Sequence, residues 1–163
     1  MGEISANLAA TITNIVSGLL ADYAHCIDSD DLERWPEFFT ETAHYRITTT
    51  FNHDRGLPIG IVDAHNRYMM EDRVAALRTA NIYEPQRYRH IISVVRITGQ
   101  SGDLVQVEAS FLVVRTMIGG RQELFVSGRY LDSIDLSGER PLFVKKLVVL
   151  DSDKIDTLLA IPL

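Results

Sequence analysis

Alternation of apolar and polar residues through the second half of the chain limits its fold more than any other feature. Val105, Val107, Ala109, Phe111 and Val113 lie on one side of a stretch whose other side is Gln106, Glu108 and Ser110. A period of two places those apolar side chains on one face of a strand. Gly119-Gly120 follows as a hairpin signal, and residues 122–135 read as the returning strand. Turns at 99–103 and 137–140 set off further strands near 90–98 and 141–151. Earlier in the chain, Tyr45, Ile47, Thr49 and Phe51 alternate with His44, Arg46, Thr48 and Thr50, which predicts a strand over 43–51.

A sheet with one apolar face needs cover, and the first half of the chain carries it. Leu8, Ile12, Ile15, Val16, Leu19, Leu20, Tyr23 and Ile27 recur at spacings of three and four, which predicts a helix over 6–28 with Ser5 as its N-cap. Asp30 and Glu33 read as a capping-box variant opening a short second helix that buries Trp35, Phe38 and Phe39 and is disturbed at Pro36. A loop over 52–62 holds Gly56, Pro58 and Gly60. Asp63 then reads as the cap of a third helix over 64–80, with Met70, Val74 and Leu77 on its apolar side. The expected fold is one α+β domain over 1–163: three N-terminal helices packed on a curved, mostly antiparallel sheet. This order resembles the cystatin-like cone shared by scytalone dehydratase, ketosteroid isomerase and ring-oxygenase small subunits.

Several function classes are excluded or disfavoured. With 163 residues, a net charge of −6 and no basic stripe, the chain does not read as a nucleic-acid binder. No apolar stretch is long enough for a bilayer, and no secretory or myristoylation signal is expected at the start, where Ala6 stands in place of Ser or Thr. The lone Cys26 agrees with a reducing cytoplasm and reads as an inert core thiol. A Rieske cluster takes two Cys and two His, so this chain cannot hold one alone. There is no GxGxxG, Walker loop, HExxH or CxxC.

Among titratable residues, His25 and Asp28 are three apart on a helix and could supply two ligands of a two-His-one-carboxylate site, with no evident third. Their plainer reading is a helix-end pair. Tyr23, Asp28, His44 and His90 are the acid–base set that a cone-fold lyase or isomerase would need to bring together. The plainer reading makes Tyr23 core, Asp28 a helix-end residue and His44 a solvated strand position. Arg87-Tyr88-Arg89-His90 could meet an anion or a subunit surface. Glu71, Asp72, Arg73 and Arg78 read as ion pairs along the third helix.

Several stretches, in order, resemble the small (β) subunits of Rieske-type aromatic-ring-hydroxylating oxygenases. They are Asp22-Tyr23-Ala24 through Asp28, Asp31-Leu32-Glu33-Arg34-Trp35-Pro36-Glu37-Phe38-Phe39, and Arg55-Gly56-Leu57-Pro58. Glu71 through Arg78 leads to Tyr88-Arg89-His90-Ile91-Ile92-Ser93, and Gly128-Arg129-Tyr130-Leu131-Asp132 is followed by Phe143 through Asp151. Ala80-Asn81-Ile82-Tyr83-Glu84 makes the salicylate 5-hydroxylase type the nearest in appearance, with terephthalate dioxygenase beside it. Ser93 departs from a position near which many relatives carry Asn.

The resemblance implies an oxidoreductase of aromatic catabolism in which this chain is not catalytic. The partner large (α) subunit would carry the Rieske [2Fe–2S] cluster and the mononuclear Fe(II), fed by a ferredoxin or reductase. The small subunits would form a trimer within a heterohexamer of three of each. No catalytic, cofactor-binding or metal residue is carried over to this chain. Arg67, Tyr68, Arg73, Arg87, Tyr88 and Arg89 are the expected interface group. Two readings stay open beside it. One is a stand-alone dehydratase or isomerase using Asp28 and His90; the other is a homo-oligomeric cone that binds a small ligand.

Overall fold

A computed structural model describes residues 2–79, 84–154 and 159–163, with the side chains of residues 2–6 excepted. Helix α1 spans Gly2–Asp28 and buries Ile12, Val16, Leu19, Leu20, Tyr23 and Ile27 along one stripe. Ser5 falls inside the helix instead of capping it, and its side chain lies outside the described set. The chain reverses through Asp30, whose φ of 60° is a left-handed conformation that Asp tolerates better than most residues.

The second helix is a 3-10 helix, Leu32–Phe38, with Pro36 inside it and no side-chain cap from its N-cap, Asp31. The expected Asp30–Glu33 capping box is absent from this helix start. Both carboxylates turn to the guanidinium of Arg78 instead, at 2.9 and 2.8 Å, so a charged partner from a distant helix displaces the local cap.

Strand β1 runs Phe39–Thr49, earlier than expected because Phe39 leaves the 3-10 helix already extended. Thr50–Asp54 forms a one-turn helix, α2, whose Asn52 N–H donates to the Thr49 hydroxyl at 3.3 Å. Phe51, expected on the strand in phase with Tyr45, Ile47 and Thr49, is therefore half-exposed on α2. Val62–Ala64 forms β2, and α3 begins only at Arg67. Asn66 caps it by accepting from Met69 N–H at 3.0 Å, so Asp63 is a strand residue and not the cap.

Strands β3 (Gln86–Ile92), β4 (Arg96–Ser101), β5 (Leu104–Met117), β6 (Gln122–Asp135) and β7 (Leu142–Leu150) complete the sheet. Its order is β2-β1-β7-β6-β5-β3, with β4 also on β5. The single strand expected over 90–98 is two strands. β3 pairs with the far half of β5 and β4 with the near half, and Ser93 fills the break. Its hydroxyl accepts from Ser110 N–H at 2.9 Å and its own N–H donates to Ser110 O at 2.8 Å. That is the local consequence of serine at this position.

All pairings are antiparallel except β1–β7, which is parallel and closes the chain's first strand onto its last. Gly120 turns the β5–β6 hairpin with φ 82°. Gly128 sits where a Cβ would lie 2.2 Å from the Val149 carbonyl oxygen, so β6 and β7 approach as they do only because no side chain is there. α1 packs on β3, while α3 packs on β1 and the 3-10 helix, which together form the α+β cone.

Candidate functional site

The interior of the cone is built from aromatic rings. Tyr23, Trp35, Phe39, Tyr45 and Phe143 meet edge to face, with centroids 5.0 to 6.2 Å apart, apart from the tilted Phe39–Phe143 pair. Residues 159–163 return beneath them. Tyr23 donates to the Leu163 carbonyl oxygen at 2.7 Å, and Tyr45 accepts from Leu163 N–H at 3.0 Å. Trp35 Nε1–H donates to the Tyr23 oxygen at 3.2 Å. Burial pushes the Tyr23 phenol up and the Tyr45 phenol up to about 12, so both stay protonated. Tyr23 is thus a core residue that holds the last segment in place.

The same interior contains an ion pair. Strand register sets Asp132 on β6 opposite Lys146 on β7, with Nζ 2.9 Å from Oδ2 and both side chains fully buried. Nζ also lies 3.6 Å from the Tyr130 ring centre, 4.5 Å from Phe143 and 4.6 Å from Tyr23. Burial raises the Asp132 carboxyl and lowers the Lys146 ammonium, because each charge has left water. Sequence reasoning missed this pair. The signal was present: Asp132 is in phase with buried Tyr130 and Ile134, and Lys146 with buried Val148.

Asp28 and His90 do come together. The Asp28 carboxylate accepts the backbone N–H of His90 at 3.0 Å and lies 2.7 Å from His90 Nδ1. A carboxylate accepts only, so His90 Nδ1 carries a proton and donates it. His90 Nε2 is buried without a hydrogen-bond partner. The two residues line an open cleft of about 310 Å³ between α1 and β3. His25 is exposed on α1, and Asp28 is committed to His90, so the His25–Asp28 metal spacing does not become a site.

His44 lies elsewhere, on the outer face of β1. Its Nε2 is 2.5 Å from Asp63 Oδ1, and Arg46 donates to Asp63 Oδ2 at 2.7 and 3.1 Å. Burial raises the Asp63 carboxyl, but the hydrogen bonds from Arg46 and His44 outweigh it and hold the group below the usual carboxylate range. The acid–base quartet expected at sequence level therefore reduces to the Asp28–His90 pair.

The expected interface group divides. Arg67 donates to the Phe39 carbonyl at 2.6 Å, Arg73 donates to the Leu159 carbonyl, and Tyr88 is buried. Tyr68, Arg87 and Arg89 face outward. Arg78 reaches Asp30 and Glu33 across the fold instead of pairing along its own helix. Cys26 donates to the Asp31 carbonyl at 3.0 Å, and burial pushes its thiol up to about 11, which keeps it unreactive. With this one cysteine the chain's donor set does not fit a Rieske cluster.

Comparison with known proteins agrees with this geometry. The profile of the ring hydroxylating beta subunit family matches residues 23–157. The β 2 subunit of the terminal oxygenase component of terephthalate 1,2-dioxygenase from Comamonas sp. is 47% identical over 150 residues, 91% of this chain and 96% of the relative. The small subunit of anthranilate 1,2-dioxygenase from Burkholderia cepacia is 40% identical over 141 residues, 86% of this chain and 88% of that one. A crystal structure from Novosphingobium aromaticivorans, assigned as the β subunit of an aromatic-ring-hydroxylating dioxygenase, superposes with a TM-score of 0.88 at 35% identity, covering 96% of this chain and 99% of that one. The profile runs from the last turns of α1 through β7, the relatives and the superposition cover most of the chain, and the chain belongs to the ring-hydroxylating dioxygenase β-subunit family.

Proposed function

We propose that this chain is the non-catalytic, structural subunit of an oxygenase that hydroxylates aromatic carboxylates in the cytoplasm. It would assemble as a trimer within a heterohexamer of three small and three large subunits. The Rieske [2Fe–2S] cluster and the mononuclear Fe(II) belong on the large subunit, with electrons supplied by a ferredoxin or reductase. The observation that carries the reading is the cone interior. Where a cone-fold lyase or isomerase would hold substrate, this chain has edge-to-face aromatics, the Asp132–Lys146 pair and the buried segment 159–163. The Asp28 and His90 side chains are buried between α1 and β3, and both Asp28 oxygens already accept from His90.

The carboxylate class is supported by the relatives, whose names specify terephthalate and anthranilate. Salicylate is the member of that class favoured by the Ala80–Glu84 stretch, of which 80–83 lies outside the described residues. The test is to reconstitute the oxygenase from its large subunit and this chain carrying Asp28→Ala or His90→Ala. Turnover of salicylate, terephthalate, anthranilate and an uncharged arene is then measured per assembled complex. The proposal expects turnover per complex unchanged and confined to the carboxylates. A fall in turnover with assembly and iron content intact would return these two residues to catalysis.

A further inference from the structure

Outside the cone, strands β1 and β2 bring three metal-ligating side chains to one face. Their antiparallel register pairs Arg46 with Asp63 and Tyr45 with Ala64, so the next step sets His44 opposite His65. Side chains directly opposite share a face, and residues two apart on one strand do as well. His44, Arg46, Asp63 and His65 therefore point outward together, while Tyr45 and Ala64 point into the core. The imidazoles of His44 and His65 stack with centroids 4.6 Å apart and planes 26° from parallel. Both direct Nε2 at one oxygen, Asp63 Oδ1, at 2.5 and 3.8 Å. One donor atom from each residue lies within 4.8 Å of the others, and this is the one such three-residue group among the described residues.

We propose that His44, Asp63 and His65 bind one borderline divalent cation of the Zn²⁺ class. Two imidazoles and a carboxylate suit Zn²⁺, with bonds of about 2.0–2.2 Å. Tetrahedral coordination at that length separates donors by roughly 3.4 Å, between the spacings seen here, so small side-chain rotations complete it. Arg46 supplies the outer shell. It occupies Oδ2, orients the carboxylate and leaves Oδ1 for the ion. The fourth position is left for water. The ion would pin the short strand β2, which ends the sheet path, to β1. This site is additional to the proposed subunit role and independent of it.

The test is a titration of the full chain with Zn²⁺ against a fluorescent chelator of known affinity, beside His44→Ala, His65→Ala and the control His53→Ala. Wild type and the control should take up one Zn²⁺ per chain, and their thermal midpoints should rise on binding. His65 is 61% exposed, so its replacement leaves the fold intact. Loss of either histidine should weaken binding by more than about 100-fold, since loss of outer-shell partners alone costs about 10–100-fold. Co²⁺ in place of Zn²⁺ should show the visible absorption of tetrahedral coordination, which His65→Ala abolishes. Failure of the wild type to bind one equivalent, or equal binding by His65→Ala and wild type, would overturn the proposal.

Discussion

Lys146→Met removes a charge from the centre of the cone and leaves its partner behind. The ammonium makes a 2.9 Å bond to Asp132 and sits 3.6 Å from the Tyr130 ring centre, with no exposure of either charged side chain. A hydrogen bond to a charged group contributes about 1.5–3 kcal/mol, and a desolvated cation–π contact about 2 kcal/mol. Methionine restores part of the packing. Breaking one side of a buried pair costs about 3–5 kcal/mol, and the expected loss here is about 4 kcal/mol. That is a large share of the roughly 5–15 kcal/mol that holds a domain of this kind folded.

The loss should also depend on pH. Burial already raises the Asp132 carboxyl, and without Lys146 it rises further. The folded state then holds a proton that the unfolded chain releases above about pH 3.9, so the variant's stability falls as pH rises through that window. Its deficit against wild type should be smaller near pH 5 than near pH 8. The double variant Lys146→Met with Asp132→Leu should recover most of the loss, because an apolar replacement of a buried pair is often neutral or stabilising. Urea unfolding followed by circular dichroism at both pH values measures this. A single variant within about 1 kcal/mol of wild type, or a double variant no better than the single, would refute the reasoning.

Gly128→Ala should cost at least the roughly 1–3 kcal/mol of an overpacked core, because its Cβ meets the Val149 carbonyl at 2.2 Å; the thermal midpoint reports it, and an unchanged midpoint would contradict the close approach. Arg89→Glu and Arg73→Glu should fail differently. Arg89 is 68% exposed and lies 3.8 Å from Asp28, so its reversal should lower the isolated chain's thermal midpoint only slightly and reduce co-purification with the large subunit. Arg73 holds the Leu159 carbonyl, so its reversal should lower the isolated chain's midpoint before assembly is tested.

What the sequence shows is what short-range periodicity encodes. The α1 stripe from Ile12 to Ile27 and the β5–β6 alternation can be read directly, since each is a repeat within one element. The parallel β1–β7 pairing is not, because it joins Phe39–Thr49 to Leu142–Leu150 across nearly the whole chain. β-branched residues also continue across the break at Ser93, from Ile91 and Ile92 to Val94, Val95 and Ile97, so β3 and β4 look like one strand until β5 is seen to serve both. Asp63 has the right type and place for a helix cap, and only the β1 register reveals it as the partner of Arg46 and His44. The Asp28–His90 pair could be nominated from residue type, but its closure depends on α1 lying against β3. Arg67, Arg73 and Tyr88 read as surface residues by composition, and tertiary packing turns them inward.

The central claim is that this chain supports chemistry performed on another subunit. The most direct measurement compares the purified chain, the large subunit and their co-expressed complex, using native mass spectrometry, visible absorption and turnover of an aromatic carboxylate with an electron-donor system present. The account predicts no [2Fe–2S] absorption and no turnover from this chain alone, and a three-to-three complex that shows both. A [2Fe–2S] spectrum from this chain alone, turnover by it without the large subunit, or no association between the two, would contradict it.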